Sequence, residues 1–257
     1  NNLGLWVLGR DYLAACRALA RLHGTTAGLR PGQRLLELGC GYGAALERWR
    51  DEFGVTDLHA LDRRSACVDY VRRMRLAPPA QAHLGRFDTP LTPRLPAAAF
   101  NTVICIDAAY HARSLAALLT AVRPVLRPPG RLVFTTLVHG PGFPGRRRLP
   151  RGLLRIQLAA ARISAAALAA PAALPALLAC HGLRLDAYQT LTTAVLGGFA
   201  SWVATRARML TPTERCSADW LKVRLTARWC EALLESRQLD YVLIAASPAA
   251  AGLCRPR

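Results

Sequence analysis

Residues 34–43 read Arg34-Leu35-Leu36-Glu37-Leu38-Gly39-Cys40-Gly41-Tyr42-Gly43. The apolar run Arg34 to Leu38 is too short for a helix and stops at three glycines set two apart, after which Ala44 to Glu52 has helical character. Strand, glycine turn, helix is the local order. It brings backbone close to a ligand and leaves the first amides of the helix free to bind it. Upstream, Arg30-Pro31-Gly32 forms a turn, and Arg10 to His23 carries Leu13, Cys16, Leu19 and Leu22 at helical spacing. That stretch predicts an amphipathic lead-in helix ending near Gly24.

Downstream the alternation repeats. Asp57 to Leu61 reads as a second strand ending at Asp62, and a helix follows through Cys67, Tyr70, Val71 and Met74. A proline-rich loop leads to the buried-strand run Asn101 to Ile106, a helix from Ser114 to Leu126, the turn Arg127-Pro128-Pro129-Gly130 and the strand Arg131 to Val138. Strands alternating with helices predict a parallel sheet covered on both faces. Beyond it, Gly140 to Arg155 is a Gly/Pro/Arg loop, Ile156 to Cys180 an alanine-rich helix broken by prolines, and Leu183 to Leu191 a strand. Thr193 to Arg237 predicts two or three helices carrying Trp202, Trp220 and Trp229, and Leu239 to Ala245 a final strand. No internal repeat or clean linker divides the chain, so one domain with helical additions is expected.

Asp62 stands about 20 residues beyond the glycine turn, at a strand end where a carboxylate accepts both hydroxyls of a ribose. A nucleoside-containing ligand follows. A dinucleotide dehydrogenase is open on this pattern, although its glycine spacing is GxGxxG and Gly39, Gly41 and Gly43 give GxGxG.

With 52% apolar and 19% charged residues, the chain is neither disordered nor collagen-like. Its 34 basic against 16 acidic residues give a net charge of +18, which attracts an anionic partner. Every basic residue except Lys222 is arginine, and no residue between Asp107 and Asp186 is acidic. Cys16, Cys40, Cys67, Cys105, Cys180, Cys216, Cys230 and Cys254 form no CxxC pair and have no histidine at ligand spacing, so no metal site or disulfide framework is expected. They read as small buried hydrophobes in a reducing compartment. The longest uncharged run, Ile163 to Cys180, is dominated by alanine and interrupted by Pro171 and Pro175, which argues against a membrane-spanning helix. The opening Asn1-Asn2 shows no secretory signal and is the start expected of a trimmed or processed chain.

The segment Leu36 to Gly43, followed by Leu61-Asp62, resembles the class I S-adenosylmethionine-dependent methyltransferases. The resemblance runs from Leu29 to Val138. It takes in Gly85-Arg86-Phe87-Asp88, similar to the family's adenine-contacting acidic loop, Val103 to His111 as the fourth strand, and Leu126 to Val138 as the proline-glycine turn and fifth strand. The fold it implies is α/β: a Rossmann-like, mostly parallel seven-stranded sheet with helices on both faces and helical cap additions. All of 1–257 is then a single methyltransferase domain. Residues 1–28 are its lead-in helix, 29–138 its cofactor-binding core, 139–182 a basic loop with alanine-rich helices, and 183–257 the last strands with a cap insertion at 193–237.

The cofactor the resemblance implies is S-adenosylmethionine. Glu37 and Gly39, Cys40, Gly41, Tyr42 and Gly43 would wrap its methionine portion and ribose edge, and Asp62 would hold the ribose hydroxyls. Arg63 would lie near the adenine face, Asp88 would meet the adenine amine, and Asp107 to His111 would line the methyl-donor pocket. Two positions depart from the pattern: Asn101, where the family often has an acidic residue, and Pro129, where its turn has glycine. Asp88 before Thr89-Pro90 also reads as a simple turn former.

Methyl transfer from a sulfonium is an in-line displacement that asks the protein mainly to align the nucleophile and exclude water. A hydroxyl or activated-carbon acceptor also needs a base, and His111, His139 and Tyr110 are the candidate catalytic residues. Both histidines follow the C-terminal end of a strand, where open α/β sheets bind ligands. The acceptor expected is a small molecule or lipid-like. The basic stretch Arg146 to Arg155, leading into apolar helix, suits peripheral contact with an anionic membrane, and the helices with Phe199, Trp202, Trp220 and Trp229 resemble acceptor-covering caps. Those aromatics also read as ordinary core.

Two alternatives stay open. One is a methyltransferase-fold subunit of a larger complex with its activity lost or incidental. The arginine-rich, acid-poor composition suits such a place in the mitochondrion, or otherwise in the cytoplasm. The other is an RNA methyltransferase, which the net charge would suit. No RNA-binding fold signature accompanies the charge, and Asp107-Ala108-Ala109-Tyr110 stands where base-amine methyltransferases carry Asn or Asp before Pro-Pro-Tyr.

Overall fold

A computed structural model describes residues 2–7, 11–143 and 151–249. The chain runs through α1 (Tyr12–Ala27), β1 (Arg34–Leu38), α2 (Leu46–Asp51), β2 (Asp57–Asp62), α3 (Ser65–Arg73), β3 (Gln81–Leu84), β4 (Phe100–Cys105), α4 (Leu115–Val122) and β5 (Leu126–His139). It continues through α5 (Arg151–Ala160), α6 (Leu174–Cys180), β6 (Leu183–Thr190), α7 (Gly198–Met209), α8 (Pro212–Arg215), α9 (Ala218–Ser236) and β7 (Leu239–Pro248). One seven-stranded sheet has the order β3-β2-β1-β4-β5-β7-β6. Its first five strands are parallel, while β7 inserts antiparallel between β5 and β6. This is the Rossmann-like sheet that the resemblance implies.

The two faces follow from the strand period of two. Leu35, Ile104, Val133 and Leu243 point to one face, where they meet Leu19 of α1, Trp49 of α2, Phe199 of α7 and Leu233 of α9. Leu36, Leu38, Val103, Phe134 and Ile244 point to the other, against Leu118 of α4 and Leu178 of α6. Strands buried on both sides read as near-continuous apolar runs, which is why β1 and β4 stand out in the sequence.

Three features differ from the expectation. The lead-in helix passes through Gly24 and ends three residues later, at Ala27, with Gly28 in the left-handed region at φ 64°. Gly24 is there for contact: a Cβ on it would lie 2.5 Å from the Phe53 ring and 2.9 Å from that of Trp49. Inside the expected proline-rich loop lies β3, an edge strand with only intermediate or exposed residues. The Pro128-Pro129 turn interrupts the β4–β5 ladder, because Phe100 pairs with Leu126 and Thr102 already with Arg131.

Among the described residues the cysteines are free thiols, with Cys180 and Cys216 exposed rather than buried; Cys254 lies outside those residues. No described helix is long and apolar enough to cross a membrane. Arg146 to Arg148 and the end of the Gly140 to Gly145 segment also lie outside the described residues.

Candidate active site

In open α/β sheets a crevice forms where neighbouring strands send their connections in opposite directions. Here that point is between β1 and β4. A cavity of about 410 Å³ opens over their C-terminal ends, and it also touches the ends of β2 and β3. Glu37, Gly39, Cys40 and Gly41 line it from β1, Asp62 and Arg63 from β2, Asp88 from the segment after β3, and Asp107 and His111 from the segment after β4.

The glycine turn and Asp62 form one unit. Gly39 adopts φ 68° and donates its N–H to the Leu61 carbonyl at 2.7 Å, so the turn folds onto the end of β2. The Gly41 N–H donates to Asp62 Oδ2 at 2.9 Å, and the Arg64 N–H donates to Oδ1 at 2.9 Å. Burial would raise the Asp62 pKa, but the Arg64 guanidinium and these two amides outweigh it and hold the carboxyl below its ordinary value. It is therefore an anion at neutral pH, aimed into the cavity.

Glu37 is 4% exposed and takes a 2.7 Å hydrogen bond from the Trp49 indole N–H. Burial pushes its pKa up to about 7, with the Trp49 bond opposing the rise. The two carboxyls at this end differ in kind: Asp62 is firmly ionised, while Glu37 is poised between states.

Asp107 has φ 51°, uncommon for a residue with a side chain. Its N–H donates to Thr135 Oγ1 at 2.8 Å, and its Oδ1 accepts the hydroxyls of Tyr110 at 2.6 Å and Tyr241 at 3.0 Å. Its Oδ2 accepts the Leu3 N–H at 2.7 Å, drawing the N-terminal residues over the cavity so that Asn2 joins the lining. Trp6 packs next to this strap, its ring 5.7 Å from that of Trp202. Burial, then the Asp107 charge, raise the Tyr110 pKa well above that of a free phenol, so the structure places Tyr110 as a buried hydrogen-bond donor.

On the other side of the cavity, Asp88 is 2% exposed and gripped by Arg86 through two bonds of 2.8 and 2.7 Å, and by the Arg113 N–H at 2.7 Å. Burial opposes its ionisation, but Arg86 and Arg113 hold its pKa down.

His111 sits exposed at the mouth, its Nδ1 3.3 Å from the Arg162 carbonyl. Desolvation by the protein around it lowers its pKa, and the charges of Arg63 and Arg162 act in the same direction. Although the Arg162 carbonyl and the Asp107 charge oppose the shift, the net effect favours the neutral ring, which carries one basic nitrogen.

His139, Tyr42, Gly43 and Tyr110 are not among the lining residues. His139 stacks on Phe143 with ring centroids 3.9 Å apart, and Tyr42 lies outside, edge-on to Tyr70 at 5.3 Å. The cap aromatics Phe199, Trp202, Trp220 and Trp229 pack in or against the core and do not line the cavity either. Among the lining residues that the sequence reading passes over, Asn2 and Arg162 reach the cavity only through tertiary packing, and Arg64, which holds Asp62, is overshadowed by the more conspicuous Asp62 and Arg63.

Comparison with known proteins fits this geometry. The methyltransferase domain family matches residues 9–169, more than half of the chain. No curated protein sequence matches. Among solved structures, a geranyl diphosphate C-methyltransferase from Streptomyces coelicolor A3(2) aligns at TM-score 0.74 and 16% identity, over 97% of this chain and 88% of that one. A cyclopropane synthase from Mycobacterium tuberculosis aligns at TM-score 0.73 and 17% identity, over 96% and 93%. A Haemonchus contortus N-methyltransferase, solved with phosphomonomethylethanolamine and S-adenosylhomocysteine, aligns at TM-score 0.73 and 14% identity, over 90% of this chain and 52% of that one. The chain belongs to the methyltransferase domain family, and S-adenosylmethionine is its cofactor.

Proposed function

We propose that the protein transfers the S-adenosylmethionine methyl group to a small-molecule or lipid-like acceptor entering at the mouth beside His111. The observation that carries this reading is the cavity of about 410 Å³ where β1 and β4 diverge, with one permanently ionised carboxylate and one buried carboxyl facing its glycine turn.

These residues fit the cofactor. Asp62 would accept the ribose hydroxyls, and Glu37 and the Gly39 to Gly41 backbone would hold the methionine end. Phe87 and Asp88 would border the adenine. The sulfonium supplies an electrophilic methyl carbon when bound. The chain's own work is to orient the acceptor, keep water out and take a proton where the acceptor has one to lose. His111 is the base in this reading, because it lies on the cavity, is neutral and carries a basic nitrogen.

Calorimetric titration with S-adenosylmethionine and S-adenosylhomocysteine tests the reading. Micromolar binding weakened at least about tenfold by Asp62→Ala is expected, since a lost charge-assisted bond is worth roughly 1.5–3 kcal/mol. Absence of binding by folded protein would overturn it.

A peripheral membrane contact through Arg146 to Arg155 is part of the same proposal. Its support is the arginine run itself and, on α5, the exposed Arg155 beside Ile156, which is 67% exposed. Sedimentation with anionic vesicles, lost on replacing Arg146 to Arg148 by alanine, is its test. The arginine-rich composition likewise supports a mitochondrial setting and membership of a larger complex, which stoichiometric co-purification would reveal.

A further inference from the structure

The charges around the cavity are unevenly matched. Asp62 is paired with Arg64, and Asp88 with Arg86 and Arg113. Asp107 is saturated by two hydroxyls and an amide. Arg63 and Arg162 line the same cavity, yet neither guanidinium has an ion-pair or hydrogen-bond partner among the described residues. Nothing near Arg162 in sequence can supply one, because residues 108–185 contain no acidic side chain.

Arg162 also occupies an unusual backbone position. The Ile163 N–H donates to the Leu158 carbonyl at 2.8 Å and the Arg162 N–H to that of Ala159 at 3.0 Å, which closes α5 with Arg162 in the left-handed region at φ 56°. Glycine is the common residue at such a cap, because a Cβ is strained there. An arginine in its place accepts that strain; its carbonyl meets His111, the residue lines the cavity, and its charge reaches the imidazole. Strained non-glycine residues cluster at ligand sites.

We propose that Arg162, with Arg63, binds an anionic group of the methyl acceptor, a carboxylate or a phosphate, next to His111. The proposal rests on the methyl-donor reading of the cavity and narrows it to acceptors that carry such a group. Two cations without carboxylate partners attract the anion, the arginine fork matches its oxygens, and the neutral imidazole beside them stays free to take a proton from the acceptor.

The test uses the full chain saturated with S-adenosylhomocysteine and titrated at fixed ionic strength with phenyl phosphate, benzoate and the uncharged benzyl alcohol. At least one anion is expected to bind tenfold or more tightly than the alcohol, and the tighter anion identifies the group. Arg162→Gly should remove that preference while leaving the melting temperature unchanged or higher, since glycine suits the cap. Arg208→Ala, on the exposed end of α7, should keep it despite losing the same charge.

Equal binding of anion and alcohol would overturn the proposal, as would an equal loss in Arg208→Ala. A tenfold loss of S-adenosylhomocysteine affinity in Arg162→Gly would also overturn it and assign the arginine to the cofactor's own carboxylate. Failure of the unaltered protein to bind S-adenosylhomocysteine would instead overturn the methyl-donor reading, and the proposal with it.

Discussion

The Tyr241 hydroxyl, on the antiparallel strand β7, donates to Asp107 Oδ1 at 3.0 Å across 134 positions of sequence. Tyr110 donates to the same oxygen, and Leu3 to its partner, so one carboxylate joins three parts of the chain over the cavity. Asp107→Ala would leave both buried hydroxyls without an acceptor. At about 1–3 kcal/mol for each unsatisfied buried group, it is expected to cost about 3 kcal/mol or more, against about 1 kcal/mol for Tyr241→Phe. Urea denaturation compares the two, and equal losses would show that Asp107 is not the shared acceptor.

Gly39 cannot take a side chain without moving the turn. A Cβ there would stand 2.9 Å from the Ala108 Cβ, at a φ of 68°. Gly39→Ala is expected to destabilise the fold by about 1–3 kcal/mol and to weaken S-adenosylmethionine binding in calorimetry. A variant of unchanged stability and affinity would mean that the turn adjusts freely.

The buried Glu37 makes both stability and cofactor affinity depend on pH. Its folded pKa of about 7 lies above its ordinary 4.5, so between these values the folded state holds the proton more tightly and stability falls as pH rises. The unaltered protein should therefore lose stability relative to Glu37→Gln from pH 4.5 to 7, by on the order of 3 kcal/mol. The ammonium of the cofactor favours the ionised carboxyl. Affinity for S-adenosylmethionine should then rise with pH up to about 7 and stay flat in Glu37→Gln.

His23 acts in the opposite direction. It is fully buried in α1, its Nδ1 bonded to the Leu19 carbonyl at 2.8 Å and its Nε2 without a partner. A proton on Nε2 would be a buried charge facing no acceptor, and burial lowers the pKa to about 4. Unfolding frees the ring to protonate near its ordinary 6.5, so stability should be lost as pH falls from 6.5 towards 4. His23→Leu should flatten that limb of a denaturation series, and an unchanged slope would assign the acid sensitivity elsewhere.

The halves of the fold were unequally legible in the sequence. β1, its glycine turn and Asp62 are local features: a five-residue apolar run, glycines where φ is positive, and a carboxylate at a strand end. β3 was hidden because Gln81-Ala82-His83-Leu84 lies at the sheet edge, where burial imposes no alternation. Gly24 was misleading for a related reason, since a glycine chosen for contact with Phe53 and Trp49 looks like a helix stop in one dimension. Tyr110 and His111 are adjacent, yet one is buried against Asp107 and the other exposed at the mouth. Only packing separates the hydrogen-bond donor from the candidate base, and only packing carries Arg162 to the cavity.

Because β7 runs antiparallel, β6 ends and β7 begins at the same edge of the sheet as the cavity. The helical segment between them therefore leaves and returns at one place, which Thr192 fastens by donating to Asp240 at 2.9 Å and accepting the Tyr241 N–H at 3.0 Å. With its two ends fixed and the inner faces of α7 and α9 packed on the sheet, the exposed stretch around α8 can change length at little entropic cost, since closing a longer loop adds only about 0.6 kcal/mol per doubling. That outer turn can accordingly diverge while the packed helices and the cavity end of the sheet keep their geometry.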